Sequence, residues 1–255
     1  MTRLIERHGG WRRTPEHLLP ELSDQTGLGV ADEVDPRGQL PPVFDQGQLG
    51  SCTSNAVAAA LQYDTILDGH DVGLLSRLWI YYQERKLENQ LGQGDTGAYG
   101  VDGFRAANTV GVCKETDWPY DIQTFQTPPP AASTDEGYYK LTKPFQAVTP
   151  SVDAFKAVLS NRQTIAFGFD VYQSFESPDV ARTGVMPVPD TSKESLLGGH
   201  EVLLVGYLKS DPDHGLCRNS WSASWGQAGY FFFPWSYLTN AQHCGDWQTI
   251  VRPAG

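Results

Sequence analysis

The sequence predicts an α+β protein in which a mainly helical half is followed by a mainly β half. The first half carries segments with helical periodicity, whereas the second carries short segments rich in β-branched and aromatic residues. Residues 128–134, rich in Pro, Ala, Ser and Thr, have the composition of a surface crossing between the halves. A cleft between two such lobes is a common location for a functional site.

The strongest helix prediction in the first half covers residues 52–67, whose apolar residues lie broadly on one stripe. Ser76 is the predicted N-cap of a second helix that ends near Glu88. Asp102 is the predicted N-cap of a third helix that ends near Gly111.

The second half is predicted to contain five strands and a short helix. Ser151 is the predicted cap of a helix over 152–159. Residues 211–215 combine Asp, Pro and Gly and are predicted to form a hairpin turn. The predicted strands are 164–172, 200–208, 216–221, 229–233 and 247–251.

The predicted organisation is an N-terminal arm at 1–40, a mainly helical lobe at 41–130 and a mainly β lobe at 131–255. A chain of 255 residues with 40% hydrophobic content can bury a substantial core in two lobes. Its net charge of −11 argues against nucleic acid and anionic membranes as partners. No apolar run approaches the length of a membrane span, so none is expected.

Localisation is predicted to be cytoplasmic. The N-terminal ten residues lack the apolar core of a secretory signal, and secretion by a route without a visible signal peptide is the alternative. The four cysteines form no C-x-x-C pair, so neither a metal site nor a cofactor is predicted. Cys113, Cys217 and Cys244 are expected to be small buried residues, and a Cys217–Cys244 disulfide stays open.

The stretch QGQLGSC at residues 46–52 is the most informative part of the sequence because it places a cysteine at the start of a predicted helix. The helix dipole and the unpaired N–H groups at that position favour an anion, so they lower the pKa of a thiol. Cys52 is therefore the predicted nucleophile, present as a thiolate.

A nucleophilic thiolate needs a base, and His200 is the candidate among six histidines. The other five lie in polar, turn-like or terminal contexts, whereas His200 follows two glycines and opens an apolar strand. A core histidine without a reactive role is the alternative. Asn219, in Asn219-Ser220-Trp221, offers a carbonyl that can orient the imidazole, and Trp221 can shield that bond from water. A Trp-rich core strand is the alternative for this segment.

These fragments resemble the papain-like cysteine peptidases over roughly residues 40 to 251. The family order of Gln, Cys, His and Asn is kept, and a Gly-containing segment after Asp95 matches a further family region. Agreement of several fragments in one order is far more specific than any single fragment. The matching fragments are 46–52, 95–98, 199–200, 219–221 and 225–230.

The resemblance implies a papain-like two-lobed fold, with a helical left lobe, an antiparallel β-barrel-like right lobe and the active site in the cleft between them. It implies a cysteine endopeptidase in which Cys52 attacks the peptide carbonyl and His200 protonates the leaving amine. Asn219 would orient His200, and the Gln46 amide with the Cys52 backbone N–H would hold the oxyanion.

Substrates would be proteins or peptides that bind as an added strand, and the family expectation is an apolar residue two positions before the cut. The predicted substrate-binding residues are Gly97, Ala98, Tyr99, Gly198, Gly199 and Trp221.

Several departures resemble a bacterial-type branch of the family. Leu49 stands where many secreted members have a disulfide cysteine, and Asp95 lies near the position of its usual partner. Thr53 replaces a common Trp, and Ala98 replaces the second residue of a Gly pair. Residues 1–35 are either a strap on the β lobe or a segment that crosses the cleft and keeps the enzyme latent.

Two other functions stay open at the level of the sequence. A peptide ligase or transamidase would use the same acyl-enzyme with an amine in place of water. A non-catalytic peptide-binding module is disfavoured because such proteins usually lose the reactive Cys or His.

Overall fold

The computed structural model describes residues 10–23, 28–70, 72–134 and 139–253, so part of the predicted N-terminal arm lies outside the described residues. The described chain forms the α+β, two-lobed fold that the sequence predicts. Three helices precede the sheet strands, and three shorter helices lie among those strands.

The helical lobe consists of α1 (Cys52–Leu67), α2 (Arg77–Leu87) and α3 (Gly100–Thr109). All residues of α1 from Cys52 to Thr65 are buried, which explains its run of small alanines: a thin helix lets neighbours pack on every side. Helix α1 lies between the other two helices and the sheet of the second lobe.

One of the two predicted N-caps in this lobe is present in the structure. Ser76 caps α2 as predicted, because its hydroxyl accepts a hydrogen bond from the Trp79 N–H at 3.1 Å. The predicted cap of α3 is wrong: the helix begins at Gly100, and Asp102 lies in its first turn, paired with Arg105. An acidic side chain in a first turn stabilises the helix through its dipole without serving as a cap.

The β lobe is built on a six-stranded antiparallel sheet with strand order β1-β6-β2-β3-β4-β5. Strand β3 is the longest and lies against α1, so the sheet joins the two lobes at this strand. The strands are β1 (Phe145–Ala147), β2 (Ile165–Tyr172), β3 (Leu196–Leu208), β4 (Asp211–Arg218), β5 (Tyr230–Pro234) and β6 (Cys244–Ile250).

The hairpin turn predicted at 211–215 is wrong, because these residues belong to β4. Leu208 pairs with Asp211, so the turn lies at residues 209–210. Gly215 pairs with β5 and approaches Trp235 so closely that a Cβ would lie 2.8 Å from its ring. Strand pairing and packing here override the turn preference of Asp, Pro and Gly.

The remaining helices cover the outer part of this lobe: α4 (Val152–Ser160), α5 (Pro178–Thr183) and α6 (Trp235–Leu238). Ser151 caps α4 as predicted, accepting from the Ala154 N–H at 3.2 Å. Short 3₁₀ turns lie at Glu16–Leu18, Ile122–Thr124 and Ala131–Thr134.

Two isolated bridges pair the described part of the N-terminal arm with strands of the β lobe. Leu22 forms a parallel bridge with Ala147 of β1, and Val34 forms an antiparallel bridge with Tyr207 of β3. The Val34–Tyr207 bridge has both backbone hydrogen bonds, each 2.9 Å long. The arm near residues 22 and 34 therefore lies against this lobe, as the strap interpretation expects for that part of the arm.

All four cysteines are buried free thiols, so Cys217 and Cys244 form no disulfide here. Among the described residues, no cluster of three or more His, Cys, Asp or Glu side chains is arranged to hold a metal ion. No helix in the described ranges combines the length and apolarity needed to span a membrane.

Candidate active site

The loop before α1 is held rigidly by hydrogen bonds from both lobes. The Gln46 N–H donates to the Ser220 carbonyl at 2.9 Å, and the Ser220 hydroxyl donates to Gln46 Oε1 at 2.6 Å. Gln46 Nε2 donates to the Leu49 carbonyl at 3.0 Å. The amide group of Gln46 is thus fixed in orientation close to the start of α1.

Asp95 ties the same loop to the helical lobe. It lies near the position where many secreted members of the family have a disulfide cysteine, which this chain lacks. Its carboxylate accepts from the Gly50 N–H at 2.7 Å and from the Tyr81 hydroxyl. Tyr81 in turn accepts from the Gly97 N–H at 3.1 Å. This hydrogen-bonded chain connects the Cys52 loop to the segment predicted to bind substrate.

Cys52 is the first residue of α1, as predicted, and it is fully buried. Its sulfur accepts hydrogen bonds from the backbone N–H groups of Glu201 and Gly10. Because Glu201 directly follows His200, the sulfur lies against the strand segment that carries the predicted base.

With the arm in place, the surroundings of Cys52 favour its neutral thiol over the thiolate that the sequence predicts. The pKa of this thiol is raised to about 12, mainly by burial and also by the nearby carboxyls of Glu201 and Glu84, while the two N–H donors lower it. The helix dipole alone does not outweigh complete loss of solvent.

His200 and Asn219 form the predicted pair. His200 Nε2 lies 2.8 Å from Asn219 Oδ1, and both residues are buried. An amide oxygen only accepts, so Nε2 carries the proton and Nδ1 is the ring nitrogen suited to act as a base. Asn219 Oδ1 also accepts from the Ser220 N–H at 2.8 Å, which fixes its orientation.

Aromatic rings enclose this pair. Trp221 stacks on the imidazole with ring centroids 4.7 Å apart and an interplanar angle of 28°. Phe169 meets the imidazole edge-on at 5.9 Å, and Phe175 packs against both His200 and Trp221. The rings exclude water from the His200–Asn219 bond and restrict the imidazole orientation.

The N-terminal arm passes directly through the cleft. The Ala98 N–H donates to the Gly10 carbonyl at 2.7 Å, and the Arg12 N–H donates to the Ala98 carbonyl at 3.0 Å. The Trp11 N–H donates to the Gly199 carbonyl at 3.1 Å. Residues 10–12 are therefore an added strand, parallel to the segment around Ala98, and they cover the Cys52 sulfur.

Trp11 fills a pocket in the β lobe. A Cβ at Gly168 or Gly199 would overlap its ring, so the absence of side chains there creates the space. Its indole Nε1–H donates to Asp246 Oδ2 at 2.8 Å. Trp11 is 6% exposed, so nearly all its surface is buried in this pocket.

Arg12 extends to the opposite wall of the cleft. It forms an ion pair with Glu88, whose side chain is 4% exposed, and its guanidinium lies 4.4 Å from the Tyr99 ring centroid. Glu88 also accepts from the Tyr99 N–H at 2.8 Å. The arm is thus anchored by side chains on both lobes and by backbone in between.

The structure brings Gln46, Cys52, His200 and Asn219 to one end of the cleft, and the arm touches four of the six predicted substrate-binding residues. Trp221 is placed differently, as a cover over His200, and Gly198 pairs with Val171 within the sheet. The four in contact with the arm are Gly97, Ala98, Tyr99 and Gly199.

Sequence reasoning missed Asp246, Gly168, Glu88 and the buried acids Glu84 and Glu201. An acidic residue within an apolar strand, as at Asp246 and Glu201, is the signal that could have identified two of them. Gly168 carries no local signal because its role depends on a distant ring.

The site geometry defines a cysteine peptidase, a hydrolase, and comparison with known proteins agrees. Residues 30–251 match the family model described as papain family cysteine protease. The chain is 36% identical over 218 residues to an uncharacterized peptidase C1-like protein of Acanthamoeba polyphaga mimivirus, covering 81% of this chain and 68% of that protein. The chain therefore belongs to the papain family of cysteine proteases.

Solved structures agree with this family and with the predicted bacterial-type branch. Xylellain, a cysteine protease from Xylella fastidiosa, is 33% identical, with a TM-score of 0.81 and 99% of each chain covered. Procathepsin L 3 from the larval midgut of Tenebrio molitor is 18% identical, with a TM-score of 0.72 over 97% of this chain and 77% of that one. This second likeness shows the fold alone.

Proposed function

We propose that the protein is a cysteine endopeptidase that cleaves peptide bonds in proteins or peptides through an acyl-enzyme on Cys52. The observation that carries the proposal is the buried His200–Asn219 hydrogen bond, together with the backbone N–H of the adjacent Glu201 at the Cys52 sulfur. His200 Nδ1 takes the thiol proton, the sulfur attacks the carbonyl carbon, and the resulting imidazolium protonates the leaving amine. Water then releases the acyl group, with His200 as base.

The oxyanion formed in each step is held by the Gln46 side-chain amide and the Cys52 backbone N–H. The support is the fixed amide of Gln46, whose carbonyl oxygen is occupied by the Ser220 hydroxyl so that its NH₂ faces the loop that precedes Cys52. Donors held in place before the reaction stabilise developing charge without reorganisation.

We further propose that residues 10–14 keep the enzyme latent. The support is that they occupy the backbone groups of Ala98 and Gly199 and cover the Cys52 thiol, whose pKa is raised by burial. Ordered water and substrate cannot share this space with the arm, so the active form requires its displacement.

The class of enzyme is tested by labelling with an irreversible epoxide inhibitor of cysteine peptidases, followed by peptide mass mapping. The test uses the full chain carrying Trp11→Ala, Arg12→Ala and Thr14→Ala, here called the arm-released variant. A single adduct on Cys52, lost when His200→Ala is added, supports the proposal. Equal labelling of Cys113 or Cys217 contradicts it. Product masses with an added amine separate hydrolysis from transamidation.

Latency is tested by alkylation of Cys52 as a function of pH. In the native chain the raised pKa keeps the thiol protonated, so the rate rises about tenfold per pH unit between pH 7 and 10. In the arm-released variant the rate at pH 7 is at least about 100-fold higher and depends less on pH. Glu16→Ala, an exposed arm substitution outside the cleft, is the matched control. Identical profiles for all three proteins contradict latency.

A further inference from the structure

Two buried carboxyl groups lie behind Cys52 and take no part in the proposed mechanism. Glu84 and Glu201 are 0% and 2% exposed. Glu84 Oε2 accepts a hydrogen bond of 2.8 Å from the Thr53 hydroxyl. Among the described residues, the other three carboxyl oxygens have no hydrogen-bond partner. Buried carboxylates in proteins are normally paired or hydrogen-bonded, so these two groups need a physical explanation.

The two carboxyls lie one helical turn apart on the same face of α3. A Cβ at Gly100 would lie 2.2 Å from Glu201 Oε2, and a Cβ at Gly103 would lie 2.5 Å from Glu84 Oε1. Residues three apart are neighbours on the surface of a helix. The two glycines therefore leave the space that the carboxyls fill, and the acids are close enough to repel each other.

The side chains that face this pair are themselves mostly acidic. Glu201 faces Asp246 of β6, whereas Glu84 faces Asp102 of α3 and Arg12 of the arm. Burial and repulsion between the acids raise the pKa of both carboxyls well above the usual range. A buried carboxylate without a matched cation is costly, and two neighbouring carboxyls do not readily ionise together. The pair therefore retains protons at a pH where exposed glutamates are charged.

The pair acts on the nucleophile and not on the base. Besides burial, which is the main cause, the two carboxyls raise the pKa of the Cys52 thiol. Successive side chains of a strand face opposite sides, so the ring of His200 lies away from the Glu201 carboxyl, against Asn219 and Trp221. Ionisation of the pair therefore opposes a negative charge on the sulfur, and protonation of the pair removes this opposition.

We infer that Glu84 and Glu201 form a proton-holding pair that controls the Cys52 thiolate, which the protonated pair permits and the ionised pair suppresses. This inference rests on the proposed peptidase function. Both acids are positioning residues, since their effect on the reaction passes through Cys52. Peptidase activity is therefore expected to decline as the pH rises through the ionisation of the pair.

The first test measures the rate at which iodoacetamide labels Cys52 between pH 6 and pH 10, with peptide mass mapping. The background is the arm-released variant carrying His200→Ala, in which the rate reports the thiol without its imidazolium. Glutamine is a neutral isostere of a protonated glutamate. Adding Glu201→Gln is expected to change the rate less than about threefold at pH 6 and to raise it about tenfold or more at pH 10. Glu16→Gln, which removes an exposed carboxylate outside the cleft, is the matched control.

The second test compares urea unfolding of the native chain and of Glu201→Gln from pH 4 to pH 8. A carboxyl whose pKa is higher in the folded state contributes stability below its unfolded pKa of about 4.3, and the contribution is lost as the pH rises. The native midpoint is therefore expected to fall relative to that of Glu201→Gln across this range. Glu84→Gln carries both tests if Glu201→Gln does not fold.

Two results would overturn the inference. One is a labelling profile that Glu201→Gln leaves unchanged, and the other is a difference in urea midpoint that does not vary with pH. Both leave the peptidase proposal intact, because neither measurement requires turnover. Failure of Cys52 to label in the arm-released variant with His200 present overturns the proposed function and this inference with it.

Discussion

The two walls of the cleft are stabilised by different interactions. The helical wall is polar: Arg77 forms two hydrogen bonds to Glu115 of 2.9 and 2.6 Å, donates to Asn55 Oδ1 and lies 3.9 Å from the Tyr120 ring centroid. The β wall is aromatic, with Phe175 in contact with four neighbouring rings besides His200.

This difference follows from what each wall must hold. The helical wall orients backbone N–H groups and an amide, and only directional hydrogen bonds can fix such groups. The β wall orients one imidazole and keeps water from it, which dense packing of rings achieves. Polar substitutions should therefore affect catalysis through the helical wall, whereas changes of volume should affect stability through the β wall.

The largest expected effect comes from His200→Ala in the arm-released variant. Removing the base leaves a thiol with no acceptor for its proton, so kcat/KM falls by at least about 10⁴. Steady-state hydrolysis of a fluorogenic peptide measures this loss. His214→Ala, in strand β4 and paired with Asp211, is the control and is expected to retain activity. Retention of activity in His200→Ala would contradict the assignment of His200 as the base.

Phe175→Ala tests the aromatic wall. This fully buried ring contacts both His200 and Trp221, so its loss creates a cavity and lowers the free energy of unfolding by about 3–5 kcal/mol. Urea unfolding of the native chain measures it. A change below about 1 kcal/mol contradicts the role assigned to packing.

Gln46→Ala tests the helical wall. Loss of an oxyanion donor lowers kcat by about 10²–10³ with little change in unfolding free energy. The measurement is kcat in the arm-released background, alongside urea unfolding. The exposed neighbour Gln48 supplies the control substitution Gln48→Ala, which should leave kcat unchanged. Equal losses in the two variants would argue against a specific amide role.

Ser220→Ala has the smallest expected effect. Ser220 lies where the two walls of the cleft meet, in contact with Gln46. Its hydroxyl donates to Gln46 Oε1 at 2.6 Å, so its loss frees the amide to rotate. One hydrogen bond of this kind is worth about 1 kcal/mol, which predicts a roughly fivefold lower kcat. A drop as large as that of Gln46→Ala would mean that Ser220 does more than orient the amide.

The sequence predicts the features that depend on local patterns or on the family resemblance. Helix α1, the caps at Ser76 and Ser151 and the His200–Asn219 pair belong to this group. The β-branched and aromatic residues of β2 identify it equally well.

Features that require distant residues could not be predicted. The Trp11 pocket is made by Gly168, Gly199 and Asp246 from three strands, and nothing near Trp11 in the sequence indicates it. The raised pKa of Cys52 likewise depends on burial beneath the arm and on two acids from other elements. The helix dipole, which is visible in the sequence, acts in the opposite direction and lowers the pKa.

The bridge between Val34 and Tyr207 has a consequence for how activation proceeds. It anchors the chain beyond Trp11. When Trp11 leaves its pocket, the released segment therefore stays tethered to the same molecule. Such a tether keeps the local concentration of the released segment at about the millimolar level. Its return to the cleft therefore competes with the binding of dilute peptides. Under the proposed latency, scission of the chain between residues 14 and 34 would remove this competition and make activation irreversible.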